Sequence, residues 1–107
     1  MKLVWSEGAY SDWEGIARYI GINFGKKAFE DFEDATDKTE AQIAEFPGSG
    51  TSINTRKHKN LGLKFVFIGT SGLSKMIYHV DGDIVYIDVI WDIRQSPKRL
   101  TQRLAKL

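Results

Sequence analysis

Residues 75–91 read KMIYHVDGDIVYIDVIW, and the fold follows from how this stretch is divided. Two runs rich in β-branched and aromatic residues, KMIYHV over 75–80 and DIVYIDVIW over 83–91, flank Asp81-Gly82. An Asp-Gly step between such runs is a hairpin signal, because tight hairpin turns need the positive φ that glycine tolerates. The stretch is therefore expected to form two antiparallel strands. The two-residue repeat of a strand places Val85, Ile87, Val89 and Trp91 on one face and Tyr86, Asp88, Ile90 and Asp92 on the other. A third strand, LKFVFI over 63–68, precedes the pair and is linked to it by GTSGLS.

Upstream, the pattern changes period. KLVW at 2–5 reads as a strand ending at Ser6, which fits a helix N-cap with Glu7 in the first turn. Ala9, Trp13, Ile16 and Ile20 then recur at spacings of 4, 3 and 4, one stripe of a helix. Gly21 and Gly25 punctuate its end. A second helix is expected from about Lys26 to Phe46, with Ala28, Phe32, Ala35, Thr39, Ile43 and Phe46 on its inner face. Its other face carries Glu30, Asp31, Glu33, Asp34, Asp37, Glu40 and Glu45, the pattern of a solvated helix surface. A link of about four residues makes the two helices an antiparallel hairpin. FPGSGTS breaks the pattern at Pro47, Gly48 and Gly50 and reads as a turn. Its Gly-x-Gly lacks the flanking strand, helix and Lys-Ser/Thr of a phosphate loop. Downstream of Trp91, Ser96-Pro97 suits a cap and first helical position, and Leu100, Leu104 and Leu107 stripe a short basic tail helix.

The order strand, two helices, three antiparallel strands and a tail helix defines an α+β domain, a helical hairpin packed on a small, mainly antiparallel sheet. At 107 residues, with 42% hydrophobic and 12% aromatic content, the chain is expected to be one domain with a modest core. It has no cysteine, which excludes disulfides and thiolate metal sites. MKLVWSEGAY does not read as a signal peptide and no run approaches a membrane span, so a cytoplasmic protein without a membrane partner is expected. The net charge of +1 conceals an asymmetry: residues 1–50 carry 5 Lys/Arg and 10 Asp/Glu, residues 51–107 carry 10 and 4. Clustered basic residues point to an anionic partner, although two halves that neutralise each other in the fold would give the same totals.

In that order, the segments SEGAYSDWEGIARYIGINFGKKAFEDF, AEFPGSG and KMIYHVDGDIVYIDVIWDIRQSP resemble the RelE/ParE superfamily of bacterial toxins from type II toxin–antitoxin modules. The resemblance covers nearly the whole chain and rests on the Ile-x-x-Tyr-Ile helix, the Pro-Gly turn, the closing hairpin and the Arg-x-x-Pro ending. It implies a growth-inhibiting toxin silenced by a cognate antitoxin protein. It also implies one of two targets: DNA gyrase, poisoned by ParE-like members without nuclease action, or messenger RNA, cleaved by RelE-like members in the ribosomal A site. A third reading is a non-toxic interaction domain of the same fold.

Metal-free RNA cleavage requires a proton acceptor, a proton donor and cations for the phosphate. The resemblance places Lys75 and Arg94 at the superfamily's strand Arg and its Arg after the last strand. It places Leu100 where an aromatic proton-transfer residue is common, and Val66 and Ile68 where RelE-like members carry lysines. His79 is the remaining acid–base candidate, or an ordinary cross-strand histidine. Asp92, two residues from Arg94, can pair with it. Arg56, Lys57, His58 and Lys59 form the densest basic patch, a footprint for RNA or an acidic protein or simply a solvated loop. Lys98, Arg99 and Arg103 give the tail helix a basic face for target binding. With two separated histidines and no His-x-x-x-His, neither a metal site nor a cofactor is expected. These residues leave the incomplete nuclease set as the argument for a non-nucleolytic, ParE-like action.

Overall fold

The computed structural model describes residues 1–53 and 61–107. In chain order its elements are β1 (Lys2–Trp5), α1 (Glu7–Phe24), α2 (Lys26–Glu45), β2 (Thr51–Ser52), β3 (Lys64–Phe67), β4 (Ser74–Asp81), β5 (Ile84–Asp92) and α3 (Pro97–Leu104). The strands form one sheet in the order β1-β5-β4-β3-β2, with β1 parallel to β5 and every other pairing antiparallel. The expected hairpin is β4–β5, turned at Gly82 with φ 63°. The expected FPGSGTS turn holds a short 3-10 segment at Pro47–Ser49 and then the two-residue edge strand β2.

The helical hairpin departs from expectation at its link. Gly21 remains inside α1, and Gly25 alone separates α1 from α2. Gly25 has φ 92°, a conformation that costs a side-chain-bearing residue far more than glycine, so one residue reverses the chain where four were expected. At the other end of α1 the expected cap is present: the Ser6 hydroxyl accepts from the Ala9 amide at 3.0 Å and donates to the Asp88 carbonyl at 3.1 Å.

A β-bulge in β5 decides which side chains meet. Tyr78 pairs with Ile87 but Ile77 pairs with Val89, so Asp88 is an extra residue in the ladder. One inserted residue reverses the phase of everything after it. Val85, Ile87 and Ile90 consequently join one core with Ala9, Ile43, Ile68, Met76 and Tyr78 beneath the helices. Val89 and Trp91 join a second core with Ile77, Leu63 and Leu104 on the opposite face. The expected sharing of one face by Val85, Ile87, Val89 and Trp91 does not survive the bulge. β4 and β5 are thus covered on both sides, by the α1–α2 hairpin and by α3. Of the tail leucines, Leu104 is buried and Leu100 packs beside it, while Leu107 is 45% exposed. Ser96 does occupy the cap position of α3, but through its carbonyl, which accepts from Arg99 and Leu100, and not through its side chain.

Candidate functional site

Arg94 lies just beyond β5, where Gly-free backbone after Asp92 turns toward α3. Its Nε and Nη2 donate to the Asp92 carboxylate at 3.0 and 2.7 Å, and its guanidinium sits 5.4 Å from the centroid of the Tyr19 ring on α1. Asp92 also accepts from the Arg94 amide at 2.9 Å. The Arg94 hydrogen bond holds the Asp92 carboxyl below its ordinary pKa, outweighing the opposing effect of burial. Arg94 therefore stands as an oriented, exposed cation with an internal counter-ion.

Lys75 and His79 share β4 and point to the α3 side of the sheet, but they serve different surroundings. The Lys75 ammonium lies 4.1 Å from the centroid of Phe65 and 5.7 Å from that of Phe67, a cation held over aromatic faces. His79, four residues on and so about 13 Å along the strand, has its Nδ1 2.6 Å from Asp88 Oδ2. Its ring stacks on Tyr86 with centroids 5.1 Å apart. Burial pushes the Asp88 carboxyl up, while the hydrogen bond and charge of His79 pull it down, and burial prevails. Asp88 keeps the face of Tyr86, which pairs with His79, and the bulge moves Asp92 to the other face, so Asp88 and Asp92 serve separate partners.

The tail divides in the same way. Lys98 and Arg99 are exposed and enter no ion pair among the described residues. Arg103 instead makes a two-pronged contact with Asp12 of α1 at 2.9 and 3.0 Å. Asp12 Oδ2 also accepts from the Ile90 amide at 3.1 Å. β1 stops pairing with β5 at Ile87, and Asp12 replaces the missing strand as acceptor. Arg103 thus anchors α3. Arg56, Lys57, His58 and Lys59 lie outside the described residues.

On the helical side, Trp5, Tyr10 and Trp13 line a groove of about 430 Å³ together with Glu33, Asp37 and Glu40 of α2. Trp5 Nε1 donates to Glu40 Oε2 at 3.0 Å, and Trp13 Nε1 donates to Thr36 Oγ1 at 2.9 Å. Among the described residues no three His, Cys, Asp or Glu side chains converge as a metal ion requires.

With this geometry in place, the family described as ParE toxin of the type II toxin-antitoxin system, parDE, matches residues 3–97. The chain belongs to the ParE toxin family. A solved structure of the chromosomal ParDE toxin–antitoxin system from P. aeruginosa is similar in fold, with a TM-score of 0.67 and 17% identity. It covers 86% of this chain and 95% of the other. No curated protein sequence matches. The protein is accordingly the toxin component of a type II module, and its family implies a cognate antitoxin. No helix among the described residues is long and apolar enough to cross a membrane.

In this ParE-family toxin the structure does not bring the candidate catalytic residues together. Arg94 faces α1, Lys75 lies toward β3, and His79 is near the β4–β5 turn. Val66 and Ile68 pack in the core beneath the helices, on the sheet face opposite Lys75. Sequence reasoning missed Asp12, the Asp88–His79 pair and the aromatic groove. Only the last left a local trace: Tyr10 and Trp13 three apart on α1, and Glu33, Asp37 and Glu40 four and three apart on α2, each set on one helical face.

Proposed function

We propose that this toxin arrests growth in the cytoplasm by a ParE-like, non-nucleolytic action, binding DNA gyrase through its exposed cations. The observation that carries this reading is the dispersal of Arg94, Lys75 and His79. A general base must come within about 3 Å of the proton it takes, with cations around the same phosphate. Lys75 and His79 are about 13 Å apart along β4, and Arg94 is turned to the other side of the sheet. Separated cations suit a broad anionic or protein surface better than one phosphodiester. Arg94, Lys98 and Arg99 are the residues best placed for such a contact, and an acidic or amphipathic antitoxin segment over the same region would silence it.

Ribosome-dependent messenger RNA cleavage is the second reading, and one contact favours it: with Nδ1 at 2.6 Å from Asp88, His79 has its ring oriented and Nε2 left for proton transfer. Two assays on the purified toxin separate the readings, gyrase supercoiling and primer extension on translated messages. The expected result is gyrase inhibition with intact messages, weakened about tenfold when Lys98 and Arg99 are both changed to Ala. Cleavage at A-site codons that is lost in His79→Ala would overturn the proposal.

A further inference from the structure

The groove between β1, α1 and α2 has a composition that neither the toxin reading nor the basic tail accounts for. Trp5, Tyr10 and Trp13 give it aromatic walls, and Glu33, Asp37 and Glu40 give it three carboxylates. Both indole N–H groups are already engaged, by Glu40 and Thr36, so these rings offer a ligand their π surface and not a donor. Among the described residues no lysine or arginine pairs with any of the three carboxylates. The nearby lysines of α2, Lys26 and Lys27, are engaged by Glu30 and Asp31 at 3.7 and 2.9 Å and not by the groove's carboxylates. The groove therefore carries uncompensated negative charge beside aromatic faces.

That combination selects an organic cation. Aromatic faces attract a guanidinium or ammonium through the ring quadrupole, and the carboxylates add charge-assisted hydrogen bonds. A divalent metal would need several oxygens converging on one point, and the described carboxylates do not so converge. An anionic segment is repelled. About 430 Å³ is ample for one long basic side chain with its backbone outside. The groove lies on the helical side, where Trp13 stacks on Phe32, and so is separate from the α3 face.

We propose that this groove is the recognition site for an arginine or lysine side chain presented by the cognate antitoxin. This rests on the toxin reading only in naming the antitoxin as the protein partner. The antitoxin then grips the toxin at two surfaces of opposite charge, with acidic or amphipathic chain against the basic tail and a basic anchor in the aromatic groove. Such an arrangement fixes the register of a wrapped segment, because sliding it would bring like charges together.

The test is calorimetric titration of the full-length toxin with the purified product of the adjacent antitoxin gene. Glu33→Gln removes one carboxylate that has no hydrogen-bond partner among the described residues. Glu40→Gln removes a charge but keeps an oxygen for Trp5 Nε1. Each is expected to weaken binding about tenfold at low salt, about 1.4 kcal/mol, with circular dichroism unchanged. Asp34→Asn, on the same helix but outside the groove, is expected to leave the affinity within twofold. Replacing the contacting basic residue of the antitoxin by Ala should abolish the difference between wild type and Glu33→Gln. Affinities within twofold for both Gln variants, or equal losses in Asp34→Asn, overturn the proposal, as does a wild-type toxin that forms no complex. Growth arrest on inducing the toxin alone is scored separately, so failure of the toxin reading is distinguishable from failure of the groove.

Discussion

Asp12 is expected to be one of the most sensitive polar positions outside the core, because its carboxylate does two jobs at once. It holds Arg103 of α3 in a two-pronged ion pair and accepts the amide of Ile90, a residue 2% exposed. Leaving a buried amide unpaired costs about 1–3 kcal/mol. The ion pair is part-exposed, with the Arg103 and Asp12 side chains 31% and 17% accessible, so solvent screening reduces a charged hydrogen-bonded contact to about 1 kcal/mol. Asp12→Ala should therefore lose about 2–4 kcal/mol. Asp12→Asn, which keeps an oxygen for Ile90, should lose about 1 kcal/mol, and Arg103→Met a similar amount. Urea unfolding followed by tryptophan fluorescence gives these differences as midpoint shifts at constant slope, and the Asn and Met variants combined should cost less than their sum. If Asp12→Ala and Asp12→Asn are equally destabilised, the carboxylate is not substituting for a strand at the edge of β5, and the reasoning fails.

Two further outcomes follow from particular contacts. Arg94 holds the folded-state pKa of Asp92 below its ordinary value, so the folded chain binds fewer protons there than the unfolded one. This contribution is present above the ordinary carboxylate value and is lost as pH falls through the lowered one. Melting temperatures taken at about pH 5 and about pH 3 should thus fall further for wild type than for Asp92→Asn, and equal falls would refute the linkage. Tyr78 is fully buried, and its hydroxyl donates to the Pro47 carbonyl at 2.7 Å and accepts from the Gly50 amide at 3.1 Å. Tyr78→Phe orphans both and should cost about 1–3 kcal/mol in thermal or urea unfolding; a loss below about 0.5 kcal/mol would mean that the turn at Pro47–Gly50 relaxes to find other partners.

Much of the architecture was legible because its determinants are local. Ser6 caps α1 through its own side chain, Asp81-Gly82 turns the hairpin, and the 3-and-4 spacing of Ala9, Trp13 and Ile16 puts them against the sheet. The single-residue link at Gly25 was blurred by Gly21, a second glycine four residues earlier that the helix absorbs without needing an unusual φ. Strand β2 is two residues long and exists only through its pairing with Lys64 and Phe65, so no period within it could announce it.

The candidate site was legible in its residues and not in its arrangement. Arg94 beside Asp92 was expected, since two positions two apart across a strand end lie within side-chain reach of each other. His79 with Asp88 was not, because it is a diagonal contact between strands whose register, with a bulge at Asp88, no residue type in IVYIDVIW marks. What the sequence by itself determined is the succession of elements, the family and the acidic-then-basic division of charge, all carried by short-range pattern and order. Only the tertiary structure decided which sheet face each side chain of β5 occupies, that Arg103 is tied to Asp12, 91 residues away, and that Trp5 meets Glu40 across 35. The physical reason is that a one-residue change of register and a long-range hydrogen bond both leave the local hydrophobic pattern unaltered while reassigning every contact beyond them.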